Sequence, residues 1–136
     1  QLNIAHLSSA KAKALISDRF SLNFQNPSNK ADMLLQTLVM DSAKAQSLGK
    51  IDIALNARLT DSNMKQEILL LDPNSTAVAV PELEICTNDV KAGHGVSVAK
   101  IDPDKLFYLM SRGLSSKQAF DLIVDSYKSV MLERMK

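Results

Sequence analysis

Apolar, strand-like segments recur along the first hundred residues at nearly constant spacing. Centres at Leu22, Thr37, Ile53, Leu69 and Ile85 give steps of 15, 16, 16 and 16 residues. Phe20, Leu22 and Phe24 alternate with Arg19, Ser21 and Asn23, the period of two of a strand with one buried face. Ile51, Ile53 and Leu55 alternate with Asp52 and Ala54 in the same way, and 33–40, 68–71, 83–85 and 96–98 complete the series. Regular strands divided by polar corners fit either an antiparallel sandwich or a stacked solenoid. Asn-Gly and Asp-Gly hairpin signals are absent, and the corners are wide and polar, as in Asp72-Pro73-Asn74-Ser75-Thr76. A solenoid needs a corner at every bend but no two-residue reversal, so the pattern favours a solenoid. Periodicity alone leaves the sandwich open.

After Lys100 the period changes. Asp102 is placed to cap a helix whose first residue is Pro103, with Asp104 near the positive end of its dipole. Leu106-Phe107-Tyr108-Leu109-Met110 follows, and Gly113 stands where a left-handed residue would stop the helix. Ser115 and Gln118 form a capping box for a second helix. In that helix Phe120, Ile123, Val124, Tyr127, Val130 and Met131 recur at steps of three and four, opposite Lys117, Asp121, Asp125, Lys128 and Glu133. Packing of this apolar face on the chain's own strands is expected ahead of docking to a partner.

At 136 residues and 46% hydrophobic, the chain can bury a core of its own. Its 16 basic and 15 acidic residues nearly cancel and are interspersed, which gives no pull toward nucleic acid or an anionic membrane. No apolar run approaches the ~20 residues of a spanning helix. The start, Gln1-Leu2-Asn3-Ile4-Ala5-His6, has neither the pattern of a signal peptide nor an initiator Met, so the chain is expected to be a piece of something longer. A single cysteine, Cys86, makes no internal disulfide, which fits a reducing compartment such as the cytoplasm.

The inventory for catalysis is thin: two histidines, His6 and His94, one cysteine, no Gly-rich phosphate loop and no zinc-ligand spacing. An enzyme complete in this chain is not expected. His94 lies between Gly93 and Gly95, which admits two readings, a tight corner or a metal-binding imidazole. On local sequence the corner leads, because glycine more often marks a turn. Cys86 precedes His94 by eight residues, about 26 Å in extended chain, and reads as a small apolar residue packed in a strand.

Beyond these local readings, Ile68-Leu69-Leu70-Leu71, Pro81-Glu82-Leu83-Glu84-Ile85 and Asn88-Asp89-Val90-Lys91-Ala92-Gly93-His94-Gly95, followed by Ile101-Asp102, Leu106-Phe107-Tyr108-Leu109 and Ser111-Arg112-Gly113-Leu114, resemble the SufB/SufD family of iron–sulfur cluster assembly. The resemblance is specific from about Ile68 to Tyr127 and generic before it. The His94-Gly95 step is similar to SufD-type members; SufB-type chains usually carry an acidic residue after the histidine. The resemblance implies a mainly β fold, a right-handed parallel β-helix over residues 1–100, with a small C-terminal helical region over 101–136. It implies a non-enzymatic scaffold that binds a SufC-type ATPase through the helical region, here Leu106, Phe107, Phe120, Ile123, Val124 and Tyr127. It also implies pairing with a SufB-type subunit, or with a second copy, along the β-helix. The family's cluster-associated histidine falls on His94, flanked by Gly93 and Gly95, and any transient iron–sulfur cluster would be shared with another subunit. A plastid stroma is the implied alternative to the cytoplasm in a eukaryote.

Two departures stand out: Ala92 occupies a position where many SufD-type chains have cysteine, and Cys86 one where an aromatic is common. Two rival readings follow, an ATPase adaptor without metal chemistry and a β-helix carbohydrate-active enzyme. The chain has no Trp, and Tyr108 and Tyr127 both lie in the helical region, so it lacks the aromatic platforms of the second.

Overall fold

A computed structural model of the chain describes residues 1–134. Seven strands, β1 (Leu2–Ala10), β2 (Leu15–Phe24), β3 (Lys30–Val39), β4 (Lys44–Ile53), β5 (Thr60–Leu70), β6 (Thr76–Ile85) and β7 (Val90–Lys100), precede two helices, α1 (Pro103–Ser111) and α2 (Ser116–Arg134). Odd strands form one sheet in the order β1-β3-β5-β7, and even strands a second in the order β2-β4-β6. Every pairing is parallel, and paired residues lie 29 to 32 apart in sequence. The chain is therefore a parallel β-solenoid: each coil contributes one strand to each sheet, and β7 opens a fourth coil. The 16-residue step in the sequence is half a coil, the distance from a strand to the one across from it.

Uniform register stacks like on like. Inside the solenoid Leu22, Ile51 and Leu83 pair in one column, Phe24, Ile53 and Ile85 in the next. From the other sheet Ile4, Met33 and Met64 point at them, and the layer closes into a core with Phe24, Ile51, Ile53 and Met64. Segment 33–39 is buried without alternation because both faces are covered. Its inner face meets the second sheet, and on its outer face Leu38 joins Leu69 against Val124 of α2, with Phe120 and Tyr127 alongside.

Both helices begin as their sequences dictate. The Asp102 side chain accepts from the Asp104 N–H at 2.9 Å, and Pro103 opens α1. Gly113 has φ +97° beyond its end. Ser115 N–H donates to Gln118 Oε1 at 2.9 Å, and Gln118 N–H donates back to Ser115 Oγ at 3.3 Å.

Two sequence expectations are corrected, and one strand is added to those the sequence marks. Strand β1 was not foreseen; its inward residues Ile4, His6, Ser8 and Ala10 are too mixed in polarity to contrast with Ala5 and Leu7. Leu55 lies beyond the end of β4 and is 68% exposed. Cys86 is not packed in a strand but exposed just past β6, because no corner stacks over the last one.

Corners with few glycines use left-handed backbone at ordinary residues: Ala12 and Lys13, then Asp41 and Ser42 one coil on, all have φ between 55° and 60°. Leu59 has φ 57° and is 63% exposed, so it bears the steric cost of that conformation with little burial in return. Its N–H donates to the Asp89 carbonyl, a bond any residue retains. Leu59→Asn is expected to stabilise by roughly 1 kcal/mol, since asparagine tolerates this region. Urea unfolding measures it, and an unmoved midpoint would mean that the corner is unstrained.

Candidate functional site at the open end of the solenoid

His94 lies in the middle of β7, not at a corner, which corrects the turn reading. It pairs in register with Met64, which is fully buried in the core. Val90 and Ala92, four and two residues earlier on the same face, also pack on that core, so His94 points inward between the sheets. It is nevertheless exposed, because no coil follows. Around it the inward residues of the last coil are half bare: Leu83 36%, Ile85 42%, Val96 43% and Val98 44% exposed. Strands β6 and β7 are the edges of their sheets and each presents an unpaired row of backbone groups.

Neither flanking glycine is required by conformation, since neither has positive φ. Nor does space demand them: a Cβ at Gly93 would meet Asn63 Oδ1 at 3.4 Å, and one at Gly95 would meet Lys65 Cγ at 3.9 Å. Their effect is to leave the outer face of β7 bare on both sides of His94, so another backbone can approach closely.

Among the described residues no group of three or more His, Cys, Asp or Glu side chains is placed to hold a metal ion. His94 on β7 and Cys86 just past β6 are exposed donors outside any such group. An iron–sulfur cluster is generally held by four ligands, so these donors fit part of a shared site and not a complete one. The other histidine, His6, points into the first coil, with Nε2 3.7 Å from Asp18 Oδ2 and its ring 4.7 Å from Phe20. It lies at the opposite end of the solenoid.

The six helical residues separate by location. Val124 is buried, and Phe120 and Tyr127 pack beside it on the outer face of the first sheet. The Tyr127 hydroxyl donates to the Glu67 carbonyl of β5 at 2.7 Å. Burial first, and then the nearby Glu67 carboxylate, push this phenol well above its ordinary value. Gln36 Nε2 donates to Glu67 Oε2 at 2.8 Å beneath it. Ile123 lines a groove of about 380 Å³ with Asp104, Lys105, Tyr108 and Leu109 between the helices. Leu106 sits half-buried at the seam with Phe120 and Ile101, while Phe107 is 73% exposed. Helix α1 buries no residue at all, and Tyr108 and Met110 of α1 and Leu122 of α2 are exposed as Phe107 is. Their exposure has no signal in the sequence, because a buried helix would share their apolar character.

Residues 1–127 match the family model described as "SUF system FeS cluster assembly, SufBD core domain". The match takes in the first third of the chain, where the motifs alone looked generic. The chain is 34% identical over 103 residues to "Iron-sulfur cluster assembly protein SufD" of Escherichia coli, covering 76% of this chain and 24% of that protein. It is 29% identical over 121 residues to an "Iron-sulfur cluster assembly SufBD family protein" of Synechocystis, covering 88% and 27% respectively. The protein named SufD in Plasmodium falciparum is 29% identical over 130 residues, which are 95% of this chain and 9% of that one. The chain thus spans about a quarter or less of the length of these relatives. Parallel coils, the inward histidine on the last strand and the family pattern running through both lead to one conclusion: the chain belongs to the SufBD core family of the SUF iron–sulfur cluster assembly system.

Proposed function

We propose that this chain serves as a SufD-like scaffold in iron–sulfur cluster assembly, with no catalytic chemistry of its own. His94 supplies one ligand to a transient cluster at a junction between subunits. The observation that carries this reading is the placement of an accessible imidazole on the inward face of an uncapped coil, between two unpaired strand edges. The partner at that end is a SufB-type subunit or a second copy, and it brings the thiolates or carboxylates that complete the site. A SufC-type ATPase docks on the helical region, where Phe107, Leu106 and Ile123 have surface to offer. Movement of α2 reaches β7 through Phe120, Val124 and Tyr127 on β3 and β5, and β5 pairs with β7. The protein works in a reducing compartment, the cytoplasm or a plastid stroma. Among the described residues no helix is long and apolar enough to cross a membrane.

Anaerobic reconstitution of the complex with SufB- and SufC-type subunits tests the ligand. His94→Ala is expected to lose most of the cluster absorbance while the subunits still co-purify. Undiminished cluster content would remove His94 from the ligand set and leave the adaptor role alone.

A further inference from the structure

Gly49 in β4 faces inward, with Ala45, Ser47, Ile51 and Ile53 on the same face. A Cβ built there would lie 2.6 Å from Met64 Sδ, 2.8 Å from Met64 Cε and 3.2 Å from Gln66 Cδ. The glycine is therefore the space into which the Met64 thioether is folded. Met64 belongs to the third coil and Gly49 to the second, so the side chain leans away from the open end of the solenoid. On its other side, one strand spacing of about 4.8 Å away, the in-register residue on the same inward face is His94.

We infer that Gly49 and Met64 are positioning residues for His94. By holding the thioether back in the second coil, Gly49 keeps the inward face of β7 clear, and the imidazole settles over the Met64 side chain instead of being displaced by it. Three facts support this direction of action. Met64 is fully buried among Met33, Phe24, Ile51 and Ile53, so packed neighbours oppose any movement into the core. The clashing atoms are the flexible end of a methionine, which can swing without breaking the backbone. Toward the open end it is covered only by the single strand β7, where Val90 and Ala92 are half-buried and His94 is exposed. This role rests on the reading of His94 as the functional imidazole, but the placement itself does not depend on metal.

The chain has two histidines at opposite ends of the solenoid, so their imidazole carbon–proton signals in a heteronuclear NMR spectrum of the metal-free protein report the effect directly. Gly49→Ala is expected to shift the His94 signals and leave those of His6 in place. A folded Gly49→Ala protein with unmoved His94 signals overturns the inference, and so do equal shifts at both histidines. If Gly49→Ala does not fold, Met64→Leu, nearly equal in volume, serves in its place: movement of His94 alone supports the inference and no movement overturns it. The cluster experiment on His94→Ala is separate. Retained cluster there with shifts here would remove the metal role and leave the positioning intact.

Discussion

Ile51→Ala is expected to destabilise the chain by about 3 kcal/mol, within the range for emptying a buried branched aliphatic site. Ile51 is fully buried, pairs with Leu22 on one side and Leu83 on the other, and faces Met33 and Met64 across the core. In a solenoid each coil is stabilised by its two neighbours, so a cavity in the second coil weakens both interfaces at once. Against a net stability of roughly 5–15 kcal/mol for an ordinary domain, that is a large fraction. Leu83 lies in the same column but is 36% exposed, and Leu83→Ala is expected to cost less than half as much. Urea unfolding of both variants at low protein concentration measures the difference. Equal costs would show that the last coil is covered in solution, as it would be if copies stack through β6 and β7.

Tyr127→Ala should release α2 from the solenoid at a cost of about 3 kcal/mol, the low end for removing a packed aromatic because the ring is only partly buried. The residue fills the seam between Val124, Leu38 and Leu69, and its hydroxyl bonds the Glu67 carbonyl. Tyr127→Phe keeps the ring and loses the bond, so it should cost about 1 kcal/mol. Hydrogen exchange separates undocking from global unfolding: α2 amides lose protection first, while β3 and β5 keep theirs. Uniform loss along the chain would contradict a locally docked helix. The same contact carries a pH dependence. Its folded value is raised above the ordinary 10.0 of a free tyrosine by burial and by Glu67. The stability it contributes is whole below about pH 10 and is lost as pH rises toward the higher folded value, because only the unfolded state then gives up the proton. Unfolding midpoints of the wild type should fall between about pH 9 and about pH 11, and fall less in Tyr127→Phe, which has no proton to lose. Equal falls would place the alkaline sensitivity elsewhere.

Local sequence was informative wherever a short-range rule acts alone. The Asp102 and Ser115 caps, Pro103 at the first position of α1 and the left-handed Gly113 all stand where their chemistry places them, because capping is settled within four residues. The 16-residue rhythm likewise marked each half-coil after the first. Strand β1 escaped because its inward face carries His6 and Ser8, and Cys86 was misread because burial depends on whether another coil follows, which no window of residues contains.

The candidate site divides along the same line. The sequence by itself determined that the chain bends at polar corners, ends in two capped helices and carries a histidine between glycines in a stretch resembling the SufB/SufD family. Tertiary structure alone decided which way that histidine faces. Register between strands some 30 residues apart puts His94 on Met64 and therefore inward, and a slip of one residue would have turned it to the outer face. It decided as well that Phe120, Val124 and Tyr127 are spent on the solenoid while Phe107 is not, because the helix face that meets Leu38 and Leu69 is fixed by packing across the chain. Helical period identifies an apolar stripe, but what that stripe covers is set by residues about sixty positions away in sequence, such as Glu67, which receives the Tyr127 hydroxyl.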